Sequence, residues 1–141
     1  MPNRHDLVGT ERDDSASIVG DPLLLHQAFL NLLINAEHAI AQTGGTGTIT
    51  VSTTSQNGRV LTTVGDTGPG IPEDVLPKIF DPFFTTKGVG EGTGLGLALT
   101  YGIVQEHGGT IHAVNRPEGG ARFMIDLPAA TGVAELTPIR R

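Results

Sequence analysis

A chain of 141 residues, 38% of them hydrophobic, is long enough for one cored domain and short for two. Its formal charge of −6, from 15 acidic against 9 basic residues, argues against a nucleic-acid binder, and the lack of cysteine removes disulfides and thiolate zinc sites. No apolar run approaches the ~20 residues that span a bilayer, and Met1-Pro2-Asn3-Arg4 leads into no apolar stretch, so no secretory signal is expected.

Taken in chain order, Asp6-Leu7-Val8 and Ser17-Ile18-Val19 read as two short strands. Asp21-Pro22 reads as a helix start: an acceptor side chain at the N-cap, then proline where no N–H is needed. The helix should run from Leu23 to about Ala41, free of internal glycine and proline, and end at Gly44-Gly45. With so few polar residues it is expected to be mostly buried. Thr48 to Thr53 alternates as a strand, Asn57-Gly58 signals a hairpin, and Arg59 to Val64 is the return strand. A glycine-rich loop covers Asp66 to Pro72, a short helix is expected over Glu73 to Ile79, and residues 80–94 read as a long mobile loop. A second helix from Leu95 to His107 and strands over Thr110 to Val114 and Ala121 to Leu127 follow. This order predicts an α+β fold, a two-layer sandwich of a mixed, mostly antiparallel sheet with helices on one face. The domain should occupy residues 1–128, its first sixteen residues or so the least patterned, with 129–141 a disordered tail.

Three features point to chemistry. Gln27, Asn31, Asn35 and His38 are spaced four, four and three apart and share a face of the first helix. Buried amides need partners, so this stripe either lines a site, with an asparagine carbonyl on a hard cation, or is satisfied by itself and a neighbouring loop. Asp66-Thr67-Gly68-Pro69-Gly70-Ile71 follows a strand, where glycines let backbone approach a flat ligand and Asp66 is an acceptor suited to an exocyclic amine such as that of adenine. The bland alternative is a turn aspartate bonded to its own backbone. Gly92-Thr93-Gly94-Leu95-Gly96-Leu97 runs from a loop into a helix, an arrangement that exposes N–H groups to an anion or serves as a hinge. No G-x-x-x-x-G-K-[ST] and no G-x-G-x-x-G is present, which excludes P-loop and Rossmann sites.

Together these segments resemble the ATP-binding domain of sensor histidine kinases. Asn31-Leu32-Leu33-Ile34-Asn35-Ala36 is similar to the N box, Asp66 to Gly70 to the first glycine box, and Phe80-Asp81-Pro82-Phe83-Phe84-Thr85-Thr86-Lys87 to the F box. Gly92 to Leu97 is similar to the second glycine box, and Gly108-Gly109-Thr110 to the turn beyond the next helix. The resemblance covers roughly residues 17–128 and implies the Bergerat fold, shared with gyrase-type and MutL-type ATPases, and ATP and Mg²⁺ as cofactors.

Residue by residue, the resemblance implies that Asn35 coordinates Mg²⁺, Asn31 lies beside the phosphates and His38 reaches the phosphates or ribose. Asp66 would accept from the adenine amino group, with Gly68 and Gly70 giving the ring room. Phe80 and Phe83 would anchor a lid, or serve as plain core anchors, and Lys87 would stand near the γ-phosphate or in solvent. Gly92, Thr93, Gly94, Leu95, Gly96 and Leu97 would surround the phosphates through backbone N–H groups. Two departures stand out. Ala121 occupies a position near adenine where the family commonly has serine or threonine. Only some twenty residues precede the N box, with no long amphipathic helix to carry a phosphoacceptor histidine. The chain is therefore expected to be a catalytic fragment of a histidine protein kinase or a stand-alone ATP-binding protein, monomeric and cytoplasmic. Its partners would be a histidine-bearing dimerisation domain and, through it, a response regulator, without nucleic-acid or direct membrane contact. The competing readings are a stand-alone ATPase, disfavoured because Asn31 replaces the glutamate base of water-activating relatives, a nucleotide-sensing module, and an anti-sigma-type serine kinase.

Overall fold

The computed structural model describes residues 6–7, 17–82 and 96–130. Helix α1 spans Pro22–Ala41 and opens as its sequence dictates: the Asp21 carboxylate accepts from the N–H of Leu23 at 2.9 Å and of Leu24 at 3.4 Å, and Pro22 stands first in the helix. At its C-terminus the N–H of Gly44 returns to the Ala41 carbonyl and that of Gly45 to the Ile40 carbonyl, which satisfies two carbonyls a helix end leaves orphaned. Helix α2 spans Gly96–Glu106 and ends with the same pattern at Gly108 and Gly109.

The strands are β1 (Asp6–Leu7), β2 (Thr48–Gln56), β3 (Arg59–Asp66), β4 (Thr110–Asn115) and β5 (Ala121–Pro128). They form one sheet in the order β1-β2-β3-β5-β4, parallel between β1 and β2 and antiparallel elsewhere. The β2–β3 hairpin turns on Asn57 and Gly58, both with positive φ (56° and 76°), the pair of values a two-residue type I′ turn requires. This is the expected α+β arrangement, a mostly antiparallel sheet under two helices.

Register decides what the sheet buries. Val51 lies opposite Val64, Val64 opposite Phe123, and Phe123 opposite Ala113, so these residues share one face with Ile49, Val60, Ile111, Ile125 and Leu127. That face meets Leu32, Ala36 and Ile40 of α1 and Val104 of α2 in a continuous core. The same alternation sets Asp66, Asn115 and Ala121 on the helix-bearing face, at one end of the sheet.

Three expectations are corrected. Helix α1 is not mostly buried: Ala28, Leu32, Ala36 and Ile40 form its buried stripe, while Leu23 is 81% exposed and Leu30 and Ile34 lie open on the outer side. With helices on a single face, nothing among the described residues covers that outer side. Ser17 to Val19 is not a strand; Ile18 packs against the core and the Ser17 carbonyl accepts from the Ala130 N–H at 2.6 Å. The short helix over Glu73 to Ile79 is reduced to one 3₁₀ turn, Leu76–Lys78, because Pro77 inside it has no N–H to donate. Ala129 and Ala130, assigned to the tail, donate to the carbonyls of Gly58 and Ser17; residues 131–141 lie outside the described residues.

Candidate functional site

Asp66 ends β3 beneath the helices and is 1% exposed. Its Oδ1 accepts the N–H of Gly68 at 2.8 Å and that of Ala121 at 3.3 Å. Its Oδ2 has no hydrogen-bond partner among the described residues. Burial raises the carboxyl above its ordinary range, and the two N–H donors and then the Arg116 guanidinium pull it back only in part. A buried carboxylate oxygen without a donor is costly unless something brings one. Asp66 thus makes the local turn contact and leaves one acceptor oxygen uncommitted among the described residues.

The loop that follows is fastened on two sides. Gly68 lies so close to α1 that a Cβ there would stand 2.8 Å from the Ala39 Cβ and 2.9 Å from its carbonyl oxygen. Its lack of a side chain therefore serves contact with the helix. Gly70 faces the Asn115 side chain, whose Oδ1 accepts from the Ile71 N–H and whose Nδ2 donates to the Ile71 carbonyl, both at 2.7 Å. Arg116 donates from Nη1 to the Asp66 carbonyl at 2.7 Å and from Nη2 to Glu118 at 3.0 Å. Gly120 is in the left-handed region (φ 87°) and a Cβ there would strike the Asp66 carbonyl, so only glycine fits. Ala121 brings no hydroxyl, but its N–H reaches Asp66. Sequence reasoning missed Asn115 and Arg116: they sit in an ordinary-looking turn, and their targets lie 44 and 50 residues away.

Along α1, the polar stripe divides. Gln27 donates to Asn31 Oδ1 at 2.8 Å, and Asn31 Nδ2 donates to the Gly96 carbonyl and to Thr100 Oγ1, both at 3.2 Å. Asn31 therefore ties α1 to the first turn of α2, where Thr100 is fully buried. One turn further along, Asn35 is half-buried and makes no side-chain hydrogen bond among the described residues. His38 is exposed. Gly96 opens α2, with Leu97 half-buried beside it, so the N-terminus of α2 meets the Asn31 end of the stripe. Lys87, Gly92, Thr93, Gly94 and Leu95 lie outside the described residues, as does Phe83. Phe80 is a core anchor: its ring lies 5.6 Å from Tyr101 and 6.2 Å, edge-on, from Phe123. Among the described residues no group of three or more His, Cys, Asp or Glu side chains could hold a metal. No helix among them is long and apolar enough to cross a membrane.

A carboxylate buried behind a glycine loop, on the sheet face that carries the helices, with the Asn31 amide tying α1 to the start of α2, is an arrangement that could take a nucleotide. Residues 20–131 match the model of the histidine kinase-, DNA gyrase B-, and HSP90-like ATPases. The chain belongs to this ATPase family. Within the family it is similar to sensor histidine kinase ZraS of Escherichia coli, 45% identical over 119 residues that make up 84% of this chain and 25% of ZraS. It is also similar to sporulation kinase A of Bacillus subtilis, 44% identical over 115 residues, 82% of this chain and 18% of the kinase. The chain thus spans a quarter or less of the length of these curated relatives. Among solved structures, the catalytic domain of histidine kinase ThkA superposes with a TM-score of 0.76 at 36% identity, covering 88% of this chain and 80% of that one. The family's ATP-binding domain, in the form carried by sensor histidine kinases, accounts for the fold.

Proposed function

We propose that this domain binds Mg²⁺·ATP and transfers the γ-phosphoryl group to a histidine on a helical dimerisation domain, from which a response regulator receives it. The observation that carries the nucleotide part is Asp66: nearly inaccessible, at the head of a glycine loop, and holding an oxygen with no hydrogen-bond partner among the described residues. That oxygen suits the amino group of adenine, a donor that a guanine ring does not present at the same position. In line with this reading, the kinase ShkA, 28% identical with a TM-score of 0.75 and 89% of this chain covered, was crystallised with AMPPNP. ThkA was crystallised with the response regulator TrrA.

The remaining roles follow from position. Asn35, with its amide uncommitted among the described residues, offers its carbonyl oxygen to Mg²⁺, which takes few protein ligands and fills its octahedron with water and phosphate. Bound there, the ion would neutralise charge on the phosphate oxygens. Asn31 acts by fixing the start of α2, so that the backbone N–H groups of Gly92 to Leu97 surround the phosphates with the helix dipole behind them. Lys87 adds a point charge near the γ-phosphate, and His38 reaches the phosphates or ribose. Gly68 and Gly70 shape the floor under the adenine. We assign residues 1–128 to this unit, and we infer a monomer in isolation working on the cytoplasmic side, where ATP is available.

The test is transfer in trans. The chain is incubated with labelled ATP, Mg²⁺ and the histidine-bearing helical domain of a similar sensor kinase. Acid-labile phosphate should accumulate on that domain with this chain and not with its Asn35→Ala variant. Label that never leaves ATP for the histidine, together with rapid release of inorganic phosphate by the chain alone, would favour a hydrolase instead.

A further inference from the structure

The β4–β5 turn reaches back to both ends of the loop that begins at Asp66. At the near end, Arg116 donates to the Asp66 backbone carbonyl, and Gly120 lets that carbonyl approach closer than any side chain would permit. At the far end, Asn115 pairs with both backbone groups of Ile71 through its own amide, one bond in each direction. The turn is itself braced: the Arg116 N–H donates to the Gly120 carbonyl at 2.8 Å, the Gly119 N–H to the Arg116 carbonyl at 3.0 Å, and Glu118 holds the outer guanidinium nitrogen. Arg116 is largely covered, with 15% of its side chain exposed, so its fork geometry is fixed.

We infer that Asn115 and Arg116 are positioning residues for purine recognition: they hold the Asp66–Ile71 loop so that the free Asp66 oxygen points at the adenine amino group. The inference rests on the adenine role proposed above for Asp66. Neither side chain needs to touch the nucleotide. Hydrogen-bond strength falls steeply with misalignment, and loop drift of a fraction of an ångström would weaken the Asp66 contact more than contacts to the phosphates, which are made elsewhere. Both ends matter because a loop pinned at one end only can pivot. Arg116 contributes in a second way. Its positive charge lies against the peptide of Asp66 and favours the ionised carboxylate that burial disfavours.

The experiment measures equilibrium affinities of the 141-residue chain for Mg²⁺·ATP, Mg²⁺·GTP and inorganic triphosphate. It compares the wild type with Asn115→Leu, Arg116→Met, Arg116→Lys and Asp66→Asn. The wild type should prefer ATP to GTP. Asn115→Leu and Arg116→Met should each lose about tenfold in ATP affinity, with GTP and triphosphate binding unchanged. Arg116→Lys keeps the charge and one donor and should recover part of that loss. A merely structural role would lower all three ligands together, and that result would overturn the inference, as would ATP affinity unchanged in both variants. If Asp66→Asn loses the ATP preference while Asn115→Leu and Arg116→Met retain it, the role of Asp66 stands and this inference fails. If the wild type itself does not distinguish ATP from GTP, both fall.

Discussion

At the scale of single residues, the site sets stability against use. Asp66 is buried with its carboxyl raised above the ordinary range, chiefly by desolvation. A carboxyl whose folded pKa is raised favours the protonated folded state. Its contribution to stability is therefore full at low pH and lost as pH rises through the folded value. Wherever Asp66 is ionised its burial is a cost to the fold, one that the proposed role as a ligand acceptor would explain. Asp66→Asn should consequently raise the melting temperature at neutral pH, since the asparagine oxygen can still take both N–H bonds. The gain should shrink as pH falls and the wild-type carboxyl takes up its proton. A thermal-melt series across pH in which the variant is less stable at neutrality than at acid pH, relative to wild type, would contradict this sign. Asn35 makes the opposite case, a half-buried amide with little structural commitment. Asn35→Ala should leave stability nearly unchanged and cost about tenfold in ATP affinity in the presence of Mg²⁺. With the metal chelated, calorimetric titration should find the two proteins equal; a loss that persists without Mg²⁺ would assign Asn35 to the nucleotide directly.

At the scale of elements, the two helices are joined at two places by side chains. Asn31 joins the middle of α1 to the start of α2. His107, just beyond α2, joins its end to the start of α1: its Nε2 accepts the Asp21 N–H at 3.0 Å and its Nδ1 donates to the Ile103 carbonyl at 2.8 Å. The imidazole also sits against Gly20, where a Cβ would strike the ring. His107→Ala should cost ~1–2 kcal/mol in urea unfolding, by removing both bonds and some packing. Gly20→Ala should cost more in the wild type and much less in the His107→Ala background. Additive losses in that double-mutant cycle would mean the two residues do not meet as described. Elements like these differ in how far sequence announces them. Asn57-Gly58 and Asp21-Pro22 were legible because each states a local backbone requirement, and so was the alternation over Thr48 to Thr53 that marks β2. The helix expected over Glu73 to Ile79 left the missing Pro77 donor out of account. Asp66, Asn31 and Asn35 were legible as candidates, since polar groups in apolar settings ask for a reason. The Asn115 and Arg116 contacts were not, because they join the turn to backbone groups in another segment, which no local pattern encodes.

For the whole molecule, the last prediction is that the 141-residue chain binds Mg²⁺·ATP yet neither labels itself efficiently nor turns ATP over quickly. Binding should be visible as stabilisation: a ligand at a hundred times its dissociation constant adds about 2.7 kcal/mol to the unfolding free energy. Transfer needs more, namely a nucleophile held in line with the γ-phosphate. The chain has five histidines, and four lie among the described residues. His107 has both ring nitrogens engaged at the far end of α2 from Gly96. His112 projects from β4 on the face opposite the core, its cross-strand partner being Met124. His26 and His38 are exposed on α1, each carried by a helix packed on the sheet and not by a separate element that could present it in line. Water is no better served, because the Asn31 amide is not a base and its two N–H groups are already given to Gly96 and Thr100. On the proposed function, the domain would supply recognition and charge stabilisation, and a partner would bring the acceptor. Phosphate release by the pure chain should therefore remain near the level of a nucleotide-binding-deficient Asp66→Asn, Asn35→Ala double variant. Adding the histidine-bearing domain should raise transfer while leaving release low. Fast release by the chain alone, abolished in the double variant, would instead require a base beside the γ-phosphate and would move this chain to the hydrolytic side of its family.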